Sequence, residues 1–141
     1  MRCPVAGCGA EALDGQPACP TCGADLRAYG VAIGLADLHF NRGLAHARAG
    51  DLAGAERELR IGLAFRPEDH ESGLVLGKVL WLRGAQPEAK AILERLAALP
   101  GGTEVSRQAA RCLEADAAKP GPGAAPSGPR HKPPQGRRKR H

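Results

Sequence analysis

Small and apolar residues recur along the middle of the chain at intervals of 34 residues. The matched pairs are Gly43 and Gly77, Gly50 and Gly84, Ala55 and Ala89, and Leu59 and Leu93, and Pro67 is matched by Gly101. A period of this length is typical of stacked supersecondary units. We therefore predict two copies of one structural unit, over residues 36–69 and 70–103.

Each copy is predicted to form two helices separated by a tight turn. The predicted helices are 36–49 and 52–65 in the first copy, 68–83 and 87–99 in the second, and a fifth helix over 103–118. Gly50, Pro67, Gly84 and Pro100 mark their ends, because glycine favours helix C-termini and proline cannot continue a helix. Thr103 is a candidate N-cap for the fifth helix.

The small residues of the repeat predict where the paired helices approach most closely. Gly43 lies opposite Ala55 in the first copy, as Gly77 lies opposite Ala89 in the second, and larger side chains there would push the helices apart. Aliphatic residues are expected to fill the layers between the hairpins, namely Leu52, Leu59, Leu63, Ile92, Leu93 and Leu96. Since only 3% of the residues are aromatic, the core must be built from such side chains.

This pattern resembles the tetratricopeptide repeat family, which pairs helices in units of 34 residues. The residues that carry the resemblance are Gly43, Gly50, Asp51, Ala55, Leu59 and Pro67 in the first copy, and Gly77, Gly84, Ala89 and Leu93 in the second. The chain departs from the family where a large aromatic residue is usual, since His39 and Gly73 stand there. The resemblance implies a stack of helical hairpins closed by a terminal helix, over residues 36–118.

The resemblance also implies a binding groove for a partner protein along the inner faces of the first helix of each repeat. In this register the groove would carry Asp37, Phe40, Leu44, Arg48, Glu71, Leu74, Lys78, Trp81 and Leu82. Trp is enriched at binding hot spots, which favours a contact role for Trp81. The alternative is that Trp81 packs inside the hairpin or under the terminal helix.

Four cysteines lie close together near the start of the chain, with the spacing C-x4-C-x10-C-x2-C. They are Cys3, Cys8, Cys19 and Cys22, and each half begins Cys-Pro and ends Cys-Gly. Tight turns of this composition let two thiolates grip one tetrahedral ion. The pattern resembles the knuckles of zinc ribbons and rubredoxins, and predicts one structural Zn²⁺ with no open coordination position. Iron, a disulfide, and a redox pair formed by Cys19 and Cys22 remain alternatives.

The pattern divides the chain into four parts. Residues 1–25 are predicted to form the zinc ribbon, and residues 36–118 the two repeats with their terminal helix. Between them, residues 26–35 are ambiguous, because Tyr29, Val31, Ile33 and Leu35 alternate like a strand but could also begin the first helix. Residues 119–141, rich in Pro, Gly and Arg, are predicted to be a disordered tail.

The net positive charge of the chain comes from this tail. Residues 119–141 hold seven basic side chains and no acidic ones, among them the cluster Arg137, Arg138, Lys139 and Arg140, while residues 1–118 have a formal charge of −2. A basic segment of this kind makes nucleic acid a second candidate partner. We find no signal peptide and no apolar run long enough for a membrane span, and expect a cytoplasmic protein.

The fold class predicted is thus mainly α, with about five helices, a small N-terminal zinc ribbon and a disordered basic tail. Because no nucleophile, base and orienting group are grouped in the sequence, we expect no enzymatic activity. The leading hypothesis is a zinc-binding adaptor for protein–protein interaction. The alternatives are a nucleic-acid-associated protein that uses the ribbon and the tail, and a thiol redox protein.

Overall fold

The computed structural model describes residues 1–118 and confirms the mainly helical fold. Its helices are α1 (Arg27–Arg48), α2 (Leu52–Phe65), α3 (His70–Leu82), α4 (Gln86–Ala97) and α5 (Glu104–Ala117). Within residues 1–118 there is no β-strand beyond two single bridge pairs in the cysteine-rich head. The predicted disorder of residues 119–141 concerns a segment outside the described residues.

The helices pack in chain order as a repeat-like stack of hairpins. Helix α1 packs on α2, α3 packs on α4, and further contacts join α2 to α3 and α4 to α5. Gly43 and Gly77, one matched pair of the 34-residue repeat, lie at close helix contacts. A Cβ atom on Gly43 would be 2.8 Å from Cγ of Leu59, and one on Gly77 would be 3.0 Å from Cδ2 of Leu93. The matched positions of the two copies therefore play the same packing role.

Small and aliphatic residues form the helical core, as the composition predicts. One cluster joins the two hairpins through Ala55, Leu59, Leu76, Val79, Leu80 and Ala89. A second cluster joins α3, α4 and α5 through Leu74, Leu93, Leu96 and Ala109. Trp81 packs against both clusters and is partly buried. Helix α5 thus covers the apolar side of the last hairpin.

Three of the helices begin at a polar side chain that accepts a hydrogen bond from the first turn. The predicted cap Thr103 accepts from the Ser106 N–H at 3.2 Å, and Asp51 accepts from the Gly54 N–H at 2.9 Å. Asp69 likewise caps α3, so this helix begins at His70 and the predicted start at residue 68 is wrong by two residues. The Asp69 carboxylate also accepts from the Ser72 hydroxyl at 2.6 Å, which fixes the start there.

Residues 27–35 belong to α1, so the strand-like interpretation of this segment is wrong. Tyr29, Ile33, Ala36 and Phe40 follow the three- and four-residue spacing of a helix, and all four are buried or partly buried. The Gly30 N–H already donates to the Leu26 carbonyl at 2.8 Å. Helical hydrogen bonding therefore starts directly after the cysteine-rich head. None of the helices in residues 1–118 is long and apolar enough to cross a membrane.

Candidate metal centre

The cysteine-rich head consists of two short loops with the same backbone pattern. In the first loop the Cys3 N–H donates to the Ala10 carbonyl at 2.8 Å, and in the second the Cys19 N–H donates to the Ala24 carbonyl at 2.9 Å. An antiparallel bridge flanks each pair, Arg2 with Glu11 and Ala18 with Asp25. The two Cys-Pro…Cys-Gly halves of the sequence thus fold as two matching loops.

A glycine with positive φ follows the second cysteine of each loop. Gly9 follows Cys8 with φ of 59°, and Gly23 follows Cys22 with φ of 71°, a region that residues with a Cβ atom rarely adopt. The Gly23 N–H donates to the Cys19 carbonyl at 2.9 Å, which closes the second loop. Each glycine therefore lets the chain turn back immediately after a cysteine.

The two loops bring the four cysteine sulfurs into one cluster. All four Sγ atoms lie within 4.8 Å of one another. Sγ of Cys3 is 3.7 Å from Sγ of Cys22, and Sγ of Cys8 is 3.8 Å from Sγ of Cys19. A tetrahedral ion with metal–sulfur bonds of about 2.3 Å requires sulfur–sulfur edges of about 3.8 Å. A disulfide would need about 2.05 Å. The cluster therefore fits a tetrahedral metal, with one ligand from each loop on each of these two edges.

The surroundings of the cluster move the pKa values of Cys19 and Cys3 in opposite directions. In the absence of a metal, the N–H groups of Cys22 and Thr21 lower the pKa of Cys19 to about 6. The N–H of Val5 lowers the pKa of Cys3, but burial and the neighbouring thiols outweigh it and raise that pKa to about 12. Because metal ligation requires thiolates, binding of a divalent cation at this cluster would be coupled to proton release.

Leu26 lies between the cysteine cluster and α1. Its side chain is fully buried and packs with Cys3, Cys19 and Ala12, while its backbone N–H donates to the Pro17 carbonyl at 2.9 Å. The next residue, Arg27, is the first of α1. The buried core of the head therefore includes the residue that immediately precedes the first helix.

The structure places the groove residues predicted for the second repeat partly in a cavity and partly in the core. Lys78, Trp81 and Leu82 line a cavity of about 340 Å³ between α3 and α5. Leu74 is only 4% exposed and belongs to the core, whereas Leu82 is 71% exposed. Glu71 is exposed and is not among the lining residues.

The groove residues predicted for the first repeat do not line this cavity. Phe40 is partly buried and packs on the core cluster around Leu59. Leu44 is partly buried, Arg48 is exposed, and Asp37 forms an ion pair with Arg66 at 3.2 Å.

Helix α5 contributes cavity residues that sequence analysis did not identify. Cys112, Ala115 and Asp116 form the wall opposite Trp81. One face of α5 carries Val105, Ala109, Cys112 and Asp116. Their three- and four-residue spacing was the sequence signal that could have identified this wall of the cavity. The predicted basic cluster at 137–140 lies outside the described residues.

Comparison of the chain with protein-family models, with curated proteins and with solved structures gives no match.

Proposed function

We propose that the protein is a non-enzymatic zinc-binding adaptor, in which a zinc-ribbon head and a tetratricopeptide-like stack present a surface to a partner protein. The observation that carries the metal half of this proposal is the arrangement of the four thiols. Two opposite sulfur–sulfur edges of 3.7 and 3.8 Å suit a tetrahedral ion held by four sulfurs. Such a shell leaves no position for a substrate, and the role proposed for the metal is therefore structural.

The four-sulfur geometry accepts both zinc and iron. We propose zinc because a purely structural role needs no redox chemistry. The test is elemental analysis of the protein purified from cells grown without added metal, together with its visible spectrum. One equivalent of zinc per chain and no absorption in the visible supports the proposal. One equivalent of iron contradicts it. A metal-free protein whose four thiols can all be titrated also contradicts it.

The cavity between α3 and α5 supports the adaptor half of the proposal. It places Trp81, an aromatic residue only partly covered by the core, beside the exposed side chain of Leu82. An apolar surface flanked by Lys78 and Asp116 suits a peptide with both apolar and polar side chains. The resemblance to tetratricopeptide repeats implies the same kind of partner.

Affinity capture from cells tests whether the cavity beside Trp81 binds a partner protein. It uses the tagged full chain and two matched variants. Leu82→Asp introduces a charge in the groove, while Leu13→Asp introduces the same charge at a head residue that is 76% exposed. We expect proteins captured by the native chain to be lost with Leu82→Asp and retained with Leu13→Asp. Identical partner lists for all three proteins would remove the groove from the proposal.

Nucleic acid is the second candidate partner, because residues 119–141 contain seven basic and no acidic side chains. Phosphate neutralisation by such a segment makes affinity fall steeply with salt. Fluorescence anisotropy with mixed-sequence RNA and DNA, on the full chain and on a chain ending at residue 118, tests this alternative. Binding that is equal for the two chains, or undetectable at low salt, excludes it.

A further inference from the structure

A second cavity lies in the second repeat, between α3, α4 and the end of α2. Its volume is about 380 Å³, and Gly73, Ile92, Leu96 and Leu99 are among its lining residues. It shares no lining residue with the cavity beside Trp81. The two cavities are therefore separate surfaces.

The first repeat shows what normally occupies this space. In the 34-residue register, Gly73, Ile92, Leu96 and Leu99 correspond to His39, Glu58, Gly62 and Phe65. The His39 ring stacks on the Phe65 ring with centroids 6.0 Å apart and planes 11° from parallel. Its Nδ1 atom lies 2.8 Å from Oε2 of Glu58. An aromatic ring thus fills the crevice between the two helices of the first repeat.

The second repeat supplies the walls of this crevice without the ring. Gly73 has no side chain, and a Cβ atom added there would be 3.7 Å from the nearest Leu96 carbon, an ordinary contact distance. Ile92 stands where the first repeat has Glu58, and Leu99 stands where it has Phe65. The empty position is therefore lined by aliphatic side chains and suits an apolar ring better than an imidazole.

The charged side chains beside the cavity indicate which group would lie next to a ring bound there. Arg95 lines the cavity, is exposed, and forms no ion pair within residues 1–118. Asp69 also lines it, but its carboxylate is occupied by Arg66 at 2.9 Å and by the Ser72 hydroxyl at 2.6 Å. His70 also lines the cavity, but among the lining side chains Arg95 is the one with a permanent charge that no carboxylate within residues 1–118 pairs, and it favours a carboxylate.

We propose that this cavity is a docking site for an aromatic side chain next to a carboxylate, carried by a segment of a partner protein. The chain's own tail does not have this chemistry, because residues 119–141 contain no Phe, Tyr, Trp, branched aliphatic or acidic residue. The site is independent of the groove beside Trp81. A protein with both sites would hold two partners at once.

NMR titration of the isotope-labelled, metal-loaded full chain tests the chemistry of the site. The probes are three blocked tripeptides, Glu-Phe-Asp, Glu-Ala-Asp and Lys-Phe-Lys, each added to millimolar concentration. We expect Glu-Phe-Asp to give saturable shifts at Gly73, Leu96 and Leu99, with little effect from the other two. Equal shifts from Lys-Phe-Lys overturn the role of Arg95, and no saturable shift at these residues overturns the site.

Two matched substitutions locate the binding. Arg95→Glu should weaken Glu-Phe-Asp binding about tenfold or more, because it sets like charges together, while Lys90→Glu on the same helix should leave it unchanged. Gly73→Phe should fill the cavity and abolish the shifts at Leu96 and Leu99 with helix content unchanged by circular dichroism. Equal loss with Lys90→Glu contradicts the proposal.

A second copy of this chain is the other occupant that the experiment must exclude. Leu13 is 76% exposed and is followed by Asp14, so the head itself displays an apolar side chain beside a carboxylate. Light scattering across a range of protein concentrations measures self-association. A monomer at all concentrations supports a separate partner, whereas association that both Leu13→Asp and Gly73→Phe abolish overturns it.

Discussion

The side chain of Leu59 fills the space over Gly43, where an added Cβ atom would lie 2.8 Å from Cγ of Leu59. This contact holds α1 against α2 and is repeated by Gly77 and Leu93 in the second hairpin, at 3.0 Å. Both leucines are almost completely buried, with exposures of 0% and 1%. The hairpins of the two repeats are therefore closed by the same glycine–leucine contact.

Gly43→Ala is expected to destabilise the protein by about 1–3 kcal/mol, because the new methyl group overpacks a contact that buried Leu59 cannot relieve. The measurement is urea unfolding of the metal-loaded protein, followed by circular dichroism. An unchanged midpoint would mean that α1 and α2 can separate without cost.

Gly73→Ala is expected to have the opposite sign. Gly73 is also a buried helical glycine, but its added Cβ atom would meet the Leu96 methyl carbons at 3.7 and 3.8 Å. Removing a glycine from a helix interior stabilises by about 0.5–1 kcal/mol when no clash results. The same unfolding experiment should show a raised midpoint, and destabilisation equal to that of Gly43→Ala would contradict the ordinary contact distances at Gly73.

Removal of the metal is expected to unfold the head and spare the hairpins. The head has a small core, so metal coordination is expected to supply its folding energy. In NMR spectra, excess chelator should collapse the amide signals of residues 1–26 while those of α3, α4 and α5 keep their dispersion. Loss of signals along the whole chain would show that the stack depends on the metal.

Single substitutions divide the five cysteines into two groups. Cys19→Ser should lower metal affinity strongly, because the ligand set loses a thiolate. Cys112→Ser should leave the metal content at that of the native chain, since Cys112 lies in α5 beside Trp81. Elemental analysis of both purified variants decides between these outcomes.

Acid should weaken the contact between His39 and Glu58. The hydrogen bond from His39 lowers the pKa of the Glu58 carboxyl from its ordinary value of 4.5. A lowered folded-state pKa gives stability that is fully present above pH 4.5 and is lost as the pH falls through the lowered value.

Glu58→Gln should therefore reduce stability at pH 7 by about 1 kcal/mol and have a smaller effect in acid. Glu68→Gln, at an exposed site, is the control, and comparison of the two at each pH cancels the loss of thiolate ligands in acid. An equal effect of Glu58→Gln at all pH values would contradict the assignment.

Local signals in the sequence were sufficient for most helix bounds. Helix α2 occupies the predicted residues 52–65. The Asp51 side chain caps its start, and Pro67 cannot continue the helix beyond Arg66, so both ends follow from local residues. The start of α3 was misplaced by two residues. Asp69 captures the Ser72 hydroxyl as well as its N–H, and this pair is a contact that proline spacing alone does not predict.

The sequence by itself determined the 34-residue register and the grouping of the four cysteines, because both depend on residue types at fixed short spacings. Only the tertiary structure decided that residues 27–35 are helical, because their pattern fits a strand or a helix until the burial of Tyr29, Ile33 and Ala36 on one face is known. It also decided that a Cβ atom on Gly73 would meet its neighbours at an ordinary contact distance, whereas one on Gly43 would clash with Leu59. Both are glycines inside a helix, but the space above each depends on side chains that come from other helices.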